Sequence, residues 1–227
     1  MLRKVIITLS FSLMFTSVTT VVKAEWIKDQ QNKWVYYEND SSKLNYNMTE
    51  NYIEPMKLPQ YYQADDRWGA KRYGLSNMKL TGCVPTALAM AISGLKEDVN
   101  PVQVADFLYD TTMELNTTFL GTSSLGVQEV VSQWGLNYKV IDSKEELEKT
   151  LKNGTLVYGA VGHGIFVNGY STHAVLLTGY ENGKTKAFDP DNMAKTNKWY
   201  NIDDIWKERS LAPEDNMTGG AFIAIYK

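Results

Sequence analysis

The hydrophobic pattern changes period part-way along the chain. Up to about residue 153 apolar side chains return at helical spacing, and beyond it they alternate or run unbroken, as strands do. The stretch from Thr81 to Gly94 reads as a turn followed by a helix. Pro85 suits a first helical turn, Ala87, Ala89 and Ala91 keep the helix slim enough to pack on several sides, and Gly94 is placed to end it. Asn100-Pro101 opens a second helix, cap then proline, with Val104, Phe107 and Leu108 on its apolar face. Ser124 to Trp134 predicts a third, stopped by Gly135, and the capping box Ser143-Lys144-Glu145-Glu146 a fourth, stopped by Asn153-Gly154. Strands are expected at Leu136 to Ile141, Thr155 to Gly162, His173 to Tyr180, Lys184 to Asp189 and Gly220 to Tyr226. A short helix, Ile202 to Glu208, falls between the last two. Helices come first and strands gather late, which is an α+β order and not a repeating βαβ. There is no internal repeat or low-complexity tract.

The first 55 residues follow another pattern. Met1-Leu2-Arg3-Lys4, an apolar and hydroxylic run from Val5 to Val22, and Val22-Lys23-Ala24 have the three parts of a secretory signal. Cleavage after residue 24 is expected. A retained anchor is the rival, and the Ser and Thr content makes the run thin for a spanning helix. Residues 25–55 form an aromatic-rich arm and linker. Glu25 to Asp40 has aromatic ends around a polar middle, as a hairpin would. It resembles one copy of the Trp/Tyr-rich cell-wall-binding repeat of Gram-positive surface proteins, over about twenty residues and without the usual glycines. The alternative is an aromatic arm packed on the main domain. Ser41 to Glu54 is polar and reads as a linker, leaving 56–227 as the main domain.

Charge and cysteine usage narrow the classes. The signal holds Arg3, Lys4 and Lys23 and no acids, so its loss takes the formal charge from −3 to −6. That balance argues against nucleic acid as the main partner. No later stretch is apolar enough to span a membrane, and neither a lipid-attachment cysteine nor a C-terminal sorting signal is seen. The mature chain is expected to be secreted, free or held non-covalently at a surface. Cys83 is the only cysteine, so an internal disulfide is excluded. An exposed thiol in an oxidising compartment is a liability unless it is buried or used.

Cys83 falls at a helix start, where peptide dipoles favour an anion and lower a thiol pKa. A buried structural cysteine is the other reading of the same position. Glu181-Asn182-Gly183 joins two apolar strands as a hairpin, with His173 and Asp189 at its open end. A carboxylate there can fix the imidazole tautomer, and with a nearby thiol the three make a nucleophile, a base and an orienter. A two-residue turn sets Asp189 opposite Leu176, about 10 Å along the strand from His173. A bulge is therefore expected. His163, in Gly162-His163-Gly164, reads as a loop residue. Asp189-Pro190-Asp191-Asn192 has only part of a calcium loop's spacing, so no metal or cofactor is expected.

Four motifs then appear in order: Gln63-Ala64-Asp65-Asp66-Arg67-Trp68-Gly69, Thr81-Gly82-Cys83-Val84-Pro85-Thr86, His173-Ala174-Val175-Leu176-Leu177, and Phe188-Asp189-Pro190. Together they resemble the stand-alone relatives of the bacteriocin double-glycine-leader peptidases, which are papain-like cysteine peptidases. The likeness runs from about Leu58 to the C-terminus. It implies a papain-like fold with the nucleophile at the start of a central helix packed on an antiparallel sheet. It implies Cys83 as nucleophile, His173 as base and acid, Asp189 as orienter and Gln63 as oxyanion donor beside the Cys83 N–H, acting on a peptide or protein substrate. The family usually has glycine after the cysteine, and here Val84 stands there, where a β-branch tolerates neither φ > 0 nor a close substrate. Loops near Thr111–Ser124 and Gly162–Thr172 are expected to line the groove. Two other functions share the scaffold: a peptidoglycan amidase or endopeptidase, and a non-catalytic surface-binding protein.

Overall fold

In the computed structural model the described residues are 25–28, 34–37 and 52–227. They fall in two units, Met1–Thr49 and Glu50–Lys227. The secretory signal at 1–24 and the linker stretch 41–51 lie outside the described residues. In the first unit β1 (Glu25–Lys28) pairs antiparallel with β2 (Trp34–Tyr37), within the stretch read as an aromatic hairpin.

The second unit is a seven-stranded antiparallel sheet with helices on both faces. In chain order its elements are β3 (Tyr52–Ile53), the small hairpin β4 (Arg72–Tyr73) and β5 (Ser76–Asn77), α1 (Met78–Thr81), α2 (Cys83–Leu95), α3 (Pro101–Phe107), α4 (Ser124–Gln133), β6 (Asn137–Ile141), α5 (Lys144–Lys152), β7 (Leu156–Val161), β8 (His173–Glu181), β9 (Lys184–Phe188), β10 (Lys198–Asn201), α6 (Ile202–Lys207) and β11 (Phe222–Tyr226). The sheet runs β10-β9-β8-β7-β11-β6, with β3 added to the Tyr180–Glu181 end of β8. The α+β order read from the hydrophobic pattern holds.

The central strands alternate between two cores. Tyr158, Ala160, Leu176 and Ile223 face α2, α3 and α4, where Leu88, Met90, Val104 and Val130 are buried. Val157, Val161, Val175 and Leu177 face α5 and α6, against Leu147, Leu151 and Ile205. This period-two division is why β7 and β8 look apolar throughout: both faces are covered. In α2 every residue from Val84 to Ile92 is buried, so the alanines do let neighbours close in on several sides.

Local chemistry explains most boundaries. Asn100 accepts from the Val102 and Gln103 amides while Gln103 bonds back to the Asn100 amide, a complete capping box. The second expected box is half formed. Ser143 caps the Glu146 amide, but the Glu146 carboxylate turns to the Asp142 N–H and to Lys139. Gly94 does not end α2, which runs on to Leu95. A side chain there would meet Leu58 Cδ2 at 2.3 Å, so its role is close packing. The linker reading ends too late, because Tyr52–Ile53 joins the sheet and the next residues pack along β8, with Met56 N–H donating to Thr178 Oγ1 at 2.9 Å. Two pieces lacked a sequence signal: β10, whose Lys198-Trp199-Tyr200-Asn201 has no apolar alternation, and the two-residue strands β4 and β5. Among the described residues no helix is long and apolar enough to cross a membrane.

Candidate active site

Cys83 is the first residue of α2, and the join behind it is tight. Gly82 ends α1, its N–H donating to Met78 O at 2.8 Å, and also begins α2, accepting from Thr86 N–H at 3.0 Å. A Cβ on Gly82 would lie 2.4 Å from Met78 O, so only glycine allows the two helices to meet at this angle. No side chain caps the start of α2. The first amides of a helix have no acceptor of their own, so the Cys83 and Val84 N–H groups are left facing the thiol's surroundings. Cys83 is half-buried and packs against the main core. Gly82→Ala is expected to tilt this start and lower kcat/KM about a hundredfold, the usual result of misplacing a reacting atom by about 1 Å. Steady-state kinetics beside a melting curve will check that most molecules stay folded.

Val84 meets no φ > 0. It sits in the first turn of α2, is absent from the positive-φ residues, and is 4 % exposed at the edge of the cleft. The strain expected from its β-branch does not arise.

His173 and Asp189 meet through the expected bulge. Near the turn Glu181 pairs with Lys184, but beyond it Thr178, Leu177 and Leu176 pair with Lys186, Ala187 and Phe188. The slip is one residue. Continued past Phe188, it brings Asp189 level with Val175 instead of Leu176. Successive residues of a strand face opposite sides, so this moves Asp189 onto the side of His173 as well as nearer to it. The result is a bond of 2.8 Å between His173 Nε2 and Asp189 Oδ1. Gly179, in the bulge, has φ +73°, and a Cβ there would lie 2.8 Å from the Pro55 backbone. Gly179→Ala is expected to cost at least ~1–2 kcal/mol of backbone strain and to weaken the His173–Asp189 contact. Chemical denaturation and the imidazole proton resonance of His173 will show both effects.

Asp189 is buried, 1 % exposed, and one oxygen carries its contacts. Oδ1 accepts from the ring, from Asp191 N–H at 2.8 Å and from Asn192 N–H at 3.1 Å, while the Asp189 N–H donates to Thr196 Oγ1 at 3.0 Å. These bonds make the motif a local turn that aims one carboxylate oxygen at the ring. Gln63, also buried, ties this turn to α1, the short helix just before Cys83. Its backbone N–H donates to Pro190 O at 2.8 Å and its Nε2 to Lys79 O at 2.9 Å, four residues before Cys83. One Nε2 hydrogen remains uncommitted. His163 lies in the loop after β7, where Nδ1 accepts from Gly169 N–H, away from the cleft lining.

With Nε2 on Asp189, the other ring nitrogen is left for the side of Cys83, which lines the same cleft. Burial alone would lower the His173 pKa. The bond to Asp189 and the influence of the neighbouring Cys83 outweigh it and push the pKa up to about 10 from an ordinary 6.5. A raised histidine pKa stabilises the fold fully below the unfolded value and loses that contribution as pH climbs through the folded one. The melting-temperature gap between the native protein and His173→Gln is therefore expected to be widest below about pH 6.5 and to close by about pH 10. A gap constant across that range would contradict this assignment.

The cleft beside Cys83 has a volume of about 360 Å³. Phe119 to Thr122 and Tyr170 to Thr172 line it, from the two loops the sequence pointed to, and it reaches Tyr158, Glu214 and Asp215. These last three escaped the sequence reading. Tyr158 is the one residue of Leu156–Val161 with a polar tip, and that was the available signal.

Comparison with known proteins agrees with this fold. Residues 55–218 match the model of the Peptidase_C39 like family. A crystal structure described as a putative C39-like peptidase from Bacillus anthracis is similar, with a TM-score of 0.52 and 16 % identity over 77 % of this chain and 98 % of that one. The peptidase domain of Streptococcus ComA, described as a bi-functional ABC transporter involved in quorum sensing, aligns with a TM-score of 0.45 and 18 % identity over 68 % and 94 %. A double glycine motif protease from an AMS/PCAT transporter, solved with its leader peptide, gives 0.45 and 18 % over 76 % and 91 %. No curated protein matches the chain. The helix-on-sheet arrangement is thus the papain-like peptidase fold.

Proposed function

The chain belongs to the Peptidase_C39 like family and is a cysteine peptidase, and from that premise we propose that Cys83, His173, Asp189 and Gln63 form its catalytic machinery. The observation that carries this reading is the buried His173–Asp189 bond beside the thiol at an uncapped helix start. Asp189 holds the ring so that Nε2 carries the proton on its side and the other nitrogen meets the thiol. Proton transfer from Cys83 to that nitrogen leaves a thiolate beside an imidazolium. The thiolate attacks the scissile carbonyl, and the resulting oxyanion lies between the Cys83 N–H and the free Nε2 hydrogen of Gln63. Each such donor is worth ~3 kcal/mol. His173 then returns its proton to the leaving amine, and water hydrolyses the thioester by the same steps in reverse order.

The substrate in this reading is a peptide outside the cell. The signal-like residues 1–24 support secretion, and in this reading the aromatic strands β1 and β2 supply a hold on the cell wall. A thiol-directed activity probe on purified protein tests the machinery. It should label the native protein faster than a free thiol, Cys83→Ala not at all and His173→Ala slowly. Equal labelling rates for the native protein and a free thiol would sink it. Release of soluble muropeptides from purified walls, with no cleavage of peptides, would move the substrate to peptidoglycan.

A further inference from the structure

Beside the proposed nucleophile, the cleft has an acidic wall with no cation to balance it. Asp215 and Glu214 line it, and neither pairs with a lysine or arginine among the described residues. Asp215 is 7 % exposed, and its Oδ2 accepts from Ser210 Oγ at 2.5 Å. Burial pushes this carboxyl up, and the Ser210 and Thr172 hydroxyls draw it back only in part.

A second feature is independent of the acids. Tyr158, from β7, is 2 % exposed, and its hydroxyl reaches the cleft with no hydrogen-bond partner among the described residues. Tyr158 lines the same cleft as Asp215 and Cys83. The ring is buried while the hydroxyl stays reachable from the cleft, so it is free to bond to whatever enters there. The rim is apolar and open: Leu80 is 70 % exposed, Leu120 67 % and Tyr170 fully exposed. An alkyl stem can lie along such a rim while its charged head reaches the acids.

Resting on the peptidase reading of Cys83, we propose that this cleft is a subsite for a cationic side chain. The enzyme prefers peptides with lysine or arginine within about two residues of the scissile bond. Asp215 and Glu214 hold the charge, and the Tyr158 hydroxyl accepts a hydrogen bond from the head group. The wall acts on specificity and takes no part in bond making.

Two measurements test this. Labelling of Cys83 by 2-aminoethyl and 2-sulfonatoethyl methanethiosulfonate compares a cation with an anion of similar size, independently of catalysis. The ratio of their rates is expected to exceed that on a free thiol about tenfold, and to fall severalfold in Glu214→Gln and in Asp215→Asn. Peptides matched except for one residue near the bond should show kcat/KM about tenfold higher for lysine or arginine than for glutamine or methionine, and that ratio should approach one in the variants. Glu214→Gln changes a less buried residue and keeps the test open if Asp215→Asn does not fold. A labelling ratio equal to that on a free thiol, or one that both folded variants leave unchanged, overturns the subsite. A raised labelling ratio that the variants abolish, with no peptide cleaved, supports the subsite and overturns the peptidase reading.

Discussion

Cys83→Ala is expected to reduce peptide hydrolysis by roughly four to six orders of magnitude, to the limit of detection, and His173→Ala to bring nearly the same loss. In the proposed machinery nucleophile and base act as one unit. Without Cys83 no thioester can form, and without His173 the thiol keeps its proton and the leaving amine has no acid. Because the parts share one task, the double variant should be little worse than either single one. The fold should survive. Cys83 is only half-buried, at the first position of a helix whose hold on the core comes from Val84 to Ile92. Kinetics with a peptide substrate, together with the mass of the protein trapped during turnover, will decide. An acyl adduct on Cys83 in the native protein and none in the variants is the expected result. Hydrolysis retained by Cys83→Ala would mean that the chemistry lies elsewhere.

Asp189→Asn should lower kcat/KM by about two to four orders of magnitude while leaving the local turn largely in place. An amide oxygen can still accept from Asp191 and Asn192, as the carboxylate does now. It cannot stabilise a charged ring as a carboxylate can, and it can turn its NH₂ toward His173, selecting the wrong tautomer. The pH profile tells this from simple misfolding. In the native protein the imidazolium persists to about pH 10, held by Asp189 and Cys83, and the alkaline limb of activity belongs there. In the variant that limb should move toward the ordinary histidine range. A lower rate with the alkaline limb unmoved would show that Asp189 supports structure alone.

Much of this site was legible in the sequence because its parts are marked by local chemistry. Pro85 and the alanines announced a helix with Cys83 at its head. Asn182-Gly183 between apolar runs announced the hairpin that carries His173 and Asp189. Even the bulge was required, since the plain register separates the pair. What stayed hidden depends on contacts made by distant segments. Gln63 was proposed from resemblance only, and its bonds to Lys79 and Pro190 depend on a loop crossing two others. Gly94 looks in sequence like a helix stop, and only the placement of Leu58 shows why glycine is needed. β10 has no alternation because as an edge strand it need satisfy only one neighbour, β9. Glu214 and Asp215 sit in a single 3-10 turn, Glu214–Asn216, too short for a periodicity to assign a direction to a side chain.

The position of β11 has a consequence for when the molecule can act. This strand comes last in chain order, yet it lies inside the sheet, between β7 and β6, and bonds to both. β8 also reaches far back in the sequence, as the bond from Met56 to Thr178 illustrates. Contacts of such long range form late and together, since loop closure precedes their reward. A growing polypeptide thus carries Cys83 long before it carries a finished sheet. The site is complete only once this final strand has been inserted between β7 and β6.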